Sequence, residues 1–436
     1  MMKERNEIRY QKGFYFIFIC VLFFQCQNTP VETDPLFLPE GFKSKVFVDE
    51  ISETTRHIAV SSQGTVYTKF KKTSNEGSLA AMKDFDSDGK ADSLVKFAND
   101  TTIKGNGYAT AARIYKGYLY FSSELAVYRY KLDPDMLVPK GALETVVIDD
   151  HHHGMHEHIG KPIAFDNKGN LYVPFGAPSN ACQNPKRTPL QPGMDPCPQL
   201  EDHGGIWVFD AEKLNQTQSD GKKYATGIRS IVGLDWNPQD ETLYAVVHGR
   251  DDLFRLWPDR YNPWQSAMLP SEEFLKIEEG DDFGWPYCYY DQIKGKRVLS
   301  PEYGGEGETV GRCDKFKKPI MGFPGHWAPN DLVFYQGDAF PKYYKNGAFI
   351  AFHGSTNRGP YPQSGYFIGF IPFKNAEPVG DFDIFADGFA QVDPIVNVRD
   401  AVYRPMGIAF APDGTMFIGD TEKGRIWSVK YTSNYK

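Results

Sequence analysis

Five histidines crowd the eight residues His151-His152-His153-Gly154-Met155-His156-Glu157-His158, just ahead of the apolar segment Pro162-Ile163-Ala164-Phe165. Imidazole is a metal ligand and, near neutral pH, a general base. The tract therefore reads either as a metal-binding loop or as a solvated polar stretch. His158 differs from its neighbours because it stands at the mouth of the following hairpin, where a base can meet a substrate. Arginines recur at comparable places in an acidic chain. Arg229 precedes Ser230-Ile231-Val232-Gly233-Leu234, Arg250 follows Val247-His248-Gly249, Arg358 follows His353-Gly354-Ser355-Thr356-Asn357, and Arg404 precedes Pro405-Met406-Gly407. Any one of them alone is a solvated surface charge. Several converging on one mouth make an anion site, because guanidinium grips carboxylate with two N–H groups.

A second kind of chemistry is offered by Asp84-Phe85-Asp86-Ser87-Asp88-Gly89-Lys90-Ala91-Asp92. Alternating aspartates with glycine in sixth place match the start of an EF-hand-like loop, although Val95 stands where such a loop carries its twelfth-position Glu. Asp84, Asp86, Asp88 and Asp92 read as a structural calcium site or as a solvated turn between blades. Neither reading gives them a catalytic part.

The elements that must position these residues repeat. A turn with Gly or Asp leads into a short apolar and aromatic strand at Ser62-Gln63-Gly64-Thr65-Val66-Tyr67, at Lys116-Gly117-Tyr118-Leu119-Tyr120 and at Asn167-Lys168-Gly169-Asn170-Leu171-Tyr172. It returns at Gln239-Asp240-Glu241-Thr242-Leu243-Tyr244, Lys345-Asn346-Gly347-Ala348-Phe349 and Pro412-Asp413-Gly414-Thr415-Met416-Phe417. Six hairpins at a period of about 67 residues, with no helical periodicity between them, predict an all-β, six-bladed β-propeller over residues 36–436. The widest interval, between Leu243 and Gly347, predicts a large insertion on the face that carries the long loops.

Composition narrows the function. The 436 residues carry 48 Lys+Arg against 56 Asp+Glu, a net charge of −8, so no basic stripe is available for nucleic acid. Lys3, Arg5, Arg9 and Lys12 precede the apolar run Phe14 to Phe24, which is too short to span a bilayer and reads as an export signal over 1–26. Cys26 directly after that run resembles the lipidated cysteine of a bacterial lipoprotein, with residues 27–35 as a tether; a plain signal with an incidental cysteine is the alternative. Four cysteines remain outside the signal, and three pairings are open to them. Short separations favour Cys182–Cys197 and Cys288–Cys313, disulfides suited to an oxidising compartment.

Taken together, Leu38-Pro39-Glu40-Gly41-Phe42, Arg229-Ser230-Ile231-Val232-Gly233-Leu234, Gly249-Arg250-Asp251-Asp252-Leu253, Phe283-Gly284-Trp285-Pro286-Tyr287, His353-Gly354-Ser355-Thr356-Asn357-Arg358 and Arg404-Pro405-Met406-Gly407-Ile408 resemble the soluble glucose/sorbosone dehydrogenase family, nearer its sorbosone-like branch. The resemblance runs from about Leu38 to the C-terminus. It implies a calcium-dependent quinoprotein on six blades that oxidises a sugar with pyrroloquinoline quinone (PQQ) and passes electrons to an external acceptor. In that pattern His158 is the base, Arg229 lies against the cofactor, and Gly249 and Arg250 lend carbonyl oxygens to calcium. Arg358 with His353 and Asn357 holds the cofactor carboxylates, assisted by Arg404 or Arg56. Ser230 and Thr356 depart from the family's usual Asn and Trp. A cofactor-contacting Lys of the glucose enzyme falls at Gln336, which removes a cation from the expected site. The base is followed by Ile159-Gly160-Lys161, another departure. These differences keep a non-catalytic propeller that binds a partner or glycan in view, and a six-bladed calcium-dependent lactonase is a third reading.

Overall fold

Short strands whose two faces are both apolar need cover on both sides, and a ring of radially stacked sheets supplies it. A computed structural model describes residues 36–103, 110–151 and 156–432. The export segment, Cys26, the tether, and His152 and His153 lie outside them. Six sheets make the six blades. Blade 1 is Thr55–Val60, Val66–Ser74, Gly77–Lys83 and Ser93–Phe97. Blade 2 is Ala112–Tyr115, Tyr118–Ser122, Ala126–Lys131 and Glu144–Ile148, with Gln216–Thr217 added in parallel at its edge. Blade 3 is Ala164–Phe165, Asn170–Phe175, Gly205–Asp210 and Lys222–Thr226.

Blade 4 is Ile231–Asn237, Thr242–Val247, Glu272–Ile277 and Met321–Phe323. Blade 5 is Pro329–Phe334, Ala348–Phe352, Phe367–Ile371 and Asp383–Ala386. Blade 6 takes Pro405–Phe410, Met416–Asp420 and Ile426–Tyr431 from the end of the chain, and its fourth strand is Phe42–Val48 from the beginning.

The second strand of each blade is buried on both faces, which explains its continuous apolar run. In blade 4, Leu243, Ala245 and Val247 pack towards blade 3 while Tyr244 and Val246 pack towards blade 5. Each of the six junctions between blades has such a core. The six phrases seen in the sequence are the turns from first to second strand, so all six lie at one end of the ring. First strands therefore begin, and second strands end, at the opposite end.

The expected insertion is present. Leu253–Leu256 and Pro263–Met268 form two short helices after the second strand of blade 4. Residues after Ile277 climb the outside of the ring. Thr226 N–H donates to Asp281 O, and Phe283 N–H and Trp285 N–H return to the carbonyls of Thr226 and Gly227. The climb delivers the hairpin Cys288–Asp291 and Lys296–Leu299 to the same end as the helices, where Ser271 N–H meets Tyr290 O. Both expected disulfides form, Cys182–Cys197 and Cys288–Cys313. No helix among the described residues is long and apolar enough to cross a membrane.

Candidate active site

At the end where first strands begin lies a cleft of about 650 Å³, within the range of small-molecule sites. His158, Arg229, His248, Asp251, His353 and Arg404 are on its wall. Their places follow from strand direction. Arg404 directly precedes a first strand and Arg229 stands two residues before one, while His248 and His353 directly follow second strands.

His158 enters on the segment ahead of blade 3, and its Nδ1 lies 2.7 Å from Ala177 O. A carbonyl only accepts, so Nδ1 carries the proton and Nε2 keeps its lone pair. Burial, and then the Arg229 charge, push the imidazole well below its usual pKa, so it stays neutral in the folded protein. The approach depends on Gly176, where a Cβ would stand 1.9 Å from His158 O.

Asp251 is the hub of the charged wall. Its Oδ2 accepts Arg229 Nη2 at 2.8 Å and Arg187 Nη2 at 3.0 Å, and its Oδ1 accepts Asn357 Nδ2 at 2.9 Å. Burial alone would raise this carboxyl, but Arg229, His326 and Arg187 hold it far below the usual carboxylate range. Asn180 Oδ1 accepts both Arg229 Nη2 and the Asp251 N–H, each at 2.9 Å. Arg187 also reaches Glu157 Oε2 at 2.6 Å and Asp252 Oδ2 at 2.7 Å. Arg187 and Asn180 both come from the Cys182–Cys197 region, so that staple sets the position of the hub.

Arg229 is 5% exposed, donates Nη1 to Gly249 O at 2.6 Å, and its Nε has no acceptor among the described residues. Arg404 stands across the cleft, with Nη2 2.9 Å from His353 Nδ1 and 2.5 Å from Gly354 O. His353 Nδ1 also lies 3.1 Å from Gly354 O, and its Nε2 lies 2.8 Å from Thr421 Oγ1. His248 bonds Asn330 Oδ1 through Nε2 at 2.9 Å, and burial pushes it down to about 4. Glu272 also faces the cleft, accepting the N–H groups of Gly249 at 3.1 Å and His326 at 2.7 Å, and burial pushes it up to about 8.

The structure thus brings His158, Arg229, Gly249, His353, Asn357 and Arg404 to one cleft. Arg56 is buried at the start of blade 1, close enough for its charge to depress His353. The Arg250 side chain leaves the cleft for a buried pair with Glu302 at 2.5 Å. Arg358 is also turned away: Nη1 donates to Ala267 O and Gly325 O at 2.9 and 3.0 Å, and Nε to Pro362 O at 3.1 Å. Gln336 follows the far end of the blade 5 first strand, where Gln239 Nε2 meets its Oε1 at 3.3 Å. The expected loss of a cation at Gln336 is therefore corrected: that position belongs to the opposite end of the ring and removes nothing from the cleft.

Asp84, Asp86 and Asp88 come within 4.8 Å of one another. Their loop is within blade 1 rather than between blades, and at the far end. Its carboxylates accept from the loop's own N–H groups, Ser87 and Gly89 to Asp84, Asp88 to Asp86, and Lys90 to Asp88, while Asp92 takes Phe85 N–H at 2.6 Å.

Asp251, Arg187, Asn180, His326 and Glu272 carry no role in the sequence reading. His326 and Asn330 flank the start of the blade 5 first strand, the position that had singled out Arg229 and Arg404, and that signal would have found them.

Comparison with known proteins agrees with the six-bladed fold. The curated relatives that the chain matches are spanned over 61% and 55% of their own lengths. One of them, a pyrroloquinoline quinone-dependent sugar dehydrogenase of Hypocrea jecorina, is 23% identical over 256 residues, covering 53% of this chain and 55% of that protein. The family AA12 carbohydrate-active enzyme of Trichoderma reesei has the same fold, with TM-score 0.73 and 20% identity over 92% of this chain and 98% of that one. So does the holo pyranose dehydrogenase PQQ domain of Coprinopsis cinerea, at TM-score 0.71 and 17% identity over 91% and 97%. A family model described as TrAA12-like matches residues 37–432, and the chain belongs to that family.

Proposed function

We propose that this protein is a PQQ- and calcium-dependent dehydrogenase that oxidises a hydroxyl of a sugar and delivers the electrons to an external acceptor. The observation that carries the reading is His158, a neutral imidazole locked as the Nδ1–H tautomer with its Nε2 on a cleft wall beside two arginines. Family membership and the sugar dehydrogenase among the relatives support it.

The residues fit an anionic, planar cofactor. The buried Arg229 Nε has donor capacity to spare, Arg404 faces it from the other side, and the cleft is large enough. Bound PQQ would supply the acceptor for a hydride. His158 takes the hydroxyl proton at Nε2, and the Ala177 carbonyl stabilises the imidazolium that results. Arg229 and Arg404 hold carboxylates and orient them. Asn357 adds a neutral donor, fixed by Asp251. Arg358 and Arg56 act on the cofactor only through the loops and neighbours they hold. Calcium suits the oxygens at this corner, the Gly249 and Arg250 carbonyls; the Gly249 oxygen is shared with Arg229 Nη1. A further calcium at Asp84, Asp86 and Asp88, with Asp92 closing the loop, has a structural part only.

The two disulfides and the apolar run Phe14 to Phe24 support a reading in which the protein is exported to the cell envelope and anchored by lipid at Cys26. The lactonase reading needs free carboxylate and Asn ligands on the channel axis. There Asp331 is taken by Arg113 Nη2 at 2.6 Å, which weighs against it.

Titration of the purified protein with PQQ and calcium, followed by absorbance, tests the reading together with dye-linked oxidation of a panel of aldoses. Saturable quinone uptake and calcium-dependent dye reduction are expected. A protein that takes up no quinone leaves the partner- or glycan-binding propeller as the function.

A further inference from the structure

His158 sits outside the sheets. Between Glu144–Ile148 and Ala164–Phe165 no strand occurs among the described residues, so ladder pairing does not fix the segment that carries it. Its attachments run to the connection that follows Asn170–Phe175. His158 Nδ1 meets Ala177 O at 2.7 Å, and Glu157 N–H reaches Pro178 O at a long 3.3 Å. Ala177 N–H in turn donates to Arg229 O at 2.8 Å, so the base and the cleft arginine lean on the same residue.

Arg187 supplies what that backbone lacks. It follows Lys186, whose Nζ donates to Pro178 O at 2.7 Å, and its loop is closed by Cys182–Cys197. Its guanidinium grips three carboxylates on two other connections. Nε and Nη2 both donate to Glu157 Oε2, at 3.0 and 2.6 Å. Nη2 also reaches Asp251 Oδ2 at 3.0 Å, and Nη1 donates to Asp252 Oδ2 at 2.7 Å. Asp251 and Asp252 have further cations in Arg229 and Arg255, whereas the Glu157 carboxylate pairs with Arg187 alone among the described residues. A lysine could not replace this grip, because its ammonium is a point charge without a planar fork.

We propose, resting on the dehydrogenase reading above, that Arg187 is a positioning residue: through Glu157 it sets the place of His158, and through Asp251 it fixes the Arg229 guanidinium. One side chain thereby keeps the base and the arginine beside the cofactor in register. It also neutralises Glu157, which lines the cleft and would otherwise meet an anionic cofactor as an unmatched charge. Burial and then Arg229 keep His158 neutral, and the Arg187 charge adds to both.

Two readouts separate the clamp from the reaction it serves. At 29% exposure the Arg187 side chain can be removed without opening the core. In quinone-free full-length protein whose histidines carry the heavy nitrogen isotope, nuclear magnetic resonance identifies the His158 Nδ1 proton by its loss in His158→Ala. Arg187→Ala should speed the exchange of that proton or divide the ring between tautomers, and millimolar guanidinium should restore the wild-type signal. In protein loaded with PQQ and calcium, Arg187→Ala should lower dye-linked turnover by about 10²-fold, the cost of misplacing a reacting group by about 1 Å. Glu157→Gln should lose turnover similarly, and the double variant should lose no more, because both cut one link. The double variant should also take up quinone better than Arg187→Ala, since its unmatched carboxylate is gone. A wild-type imidazole signal in Arg187→Ala, additive losses in the double variant, full turnover in Arg187→Lys, or losses that only follow a fallen thermal midpoint without guanidinium rescue overturn the proposal. If the wild type takes up no quinone, the dehydrogenase reading fails by itself, and the imidazole signal still decides the clamp.

Discussion

Both rims of the ring have to join the same strands, yet they do so with different chemistry. On the far rim, Gly64, Gly117, Gly169 and Gly414 turn the first strand into the second with φ of +78°, +78°, +100° and +85°, a left-handed backbone natural to glycine. The solution is local and nearly the same each time. On the cleft rim nothing repeats. Arg187, Arg229, Asp251 and Asn357 meet from four connections, and the Cys182–Cys197 disulfide closes the loop that carries Arg187. A propeller therefore separates its labour along the axis: one rim closes hairpins, and the other is free to vary because closure does not depend on it.

Variants can break or sharpen that contrast. The largest effect is expected at His158→Ala, which should lower dye-linked turnover by about 10² to 10⁴ while quinone uptake and thermal midpoint stay near wild type. Turnover equal to wild type would remove His158 from the chemistry and with it the functional distinction of this rim. Next comes the double variant Cys182→Ser/Cys197→Ser. Opening a loop of 15 residues should cost about 3 kcal/mol in the chain-entropy model. Because Arg187 lies within that loop, quinone affinity should fall too; urea unfolding and absorbance titration read the two effects separately.

Between the rims, His57 tests the channel. It is fully buried, with Nε2 2.7 Å from Asn330 O and 3.6 Å from Asp331 Oδ1. Burial pushes it from 6.5 down to about 4; Asp331 opposes the shift, and Arg113 and Arg56 add to it. The unfolded chain takes up this proton below 6.5 and the folded protein refuses it until about 4, so its contribution to stability is complete above 6.5 and fades as pH falls through that window. The thermal midpoint should drop between pH 7 and pH 5, less steeply in His57→Gln. An unchanged slope would mean the proton uptake lies elsewhere.

The smallest effect belongs to the far rim. A Cβ at Gly169 meets nothing within 4 Å, so Gly169→Ala pays only for its left-handed backbone, about 1 kcal/mol. Guanidinium denaturation should show that loss with turnover unchanged; altered turnover would join the two rims that the comparison separates.

The same contrast explains what could be read from the chain. The six turns, the blade count and the places of His158, Arg229 and Arg404 follow from short-range pattern and strand direction. Arg358 shows the limit. Its motif placed it at the right rim, but three carbonyls from Ala267, Gly325 and Pro362 decide where its guanidinium points, and no spacing encodes them. Asp251 sat in plain view beside Gly249 and Arg250, but its role depends on Arg187, 64 positions away. Gln336 was misplaced because a sequence match does not say which end of a strand a residue occupies.

The strand Phe42–Val48 hangs on Ile426–Tyr431, Phe42 opposite Tyr431 and Val46 opposite Trp427. It works as a clasp whose two halves are made at opposite ends of synthesis. Its closing entropy grows only with the logarithm of the span, so the great length of the enclosed chain adds little to the cost. What length adds is delay. Until Ile426–Tyr431 has emerged, Phe42–Val48 has no partner strand and the ring stays open, with unpaired edges of the kind that recruit other chains. A protein fastened this way is best kept unfolded until all of it is on one side of whatever barrier it must cross.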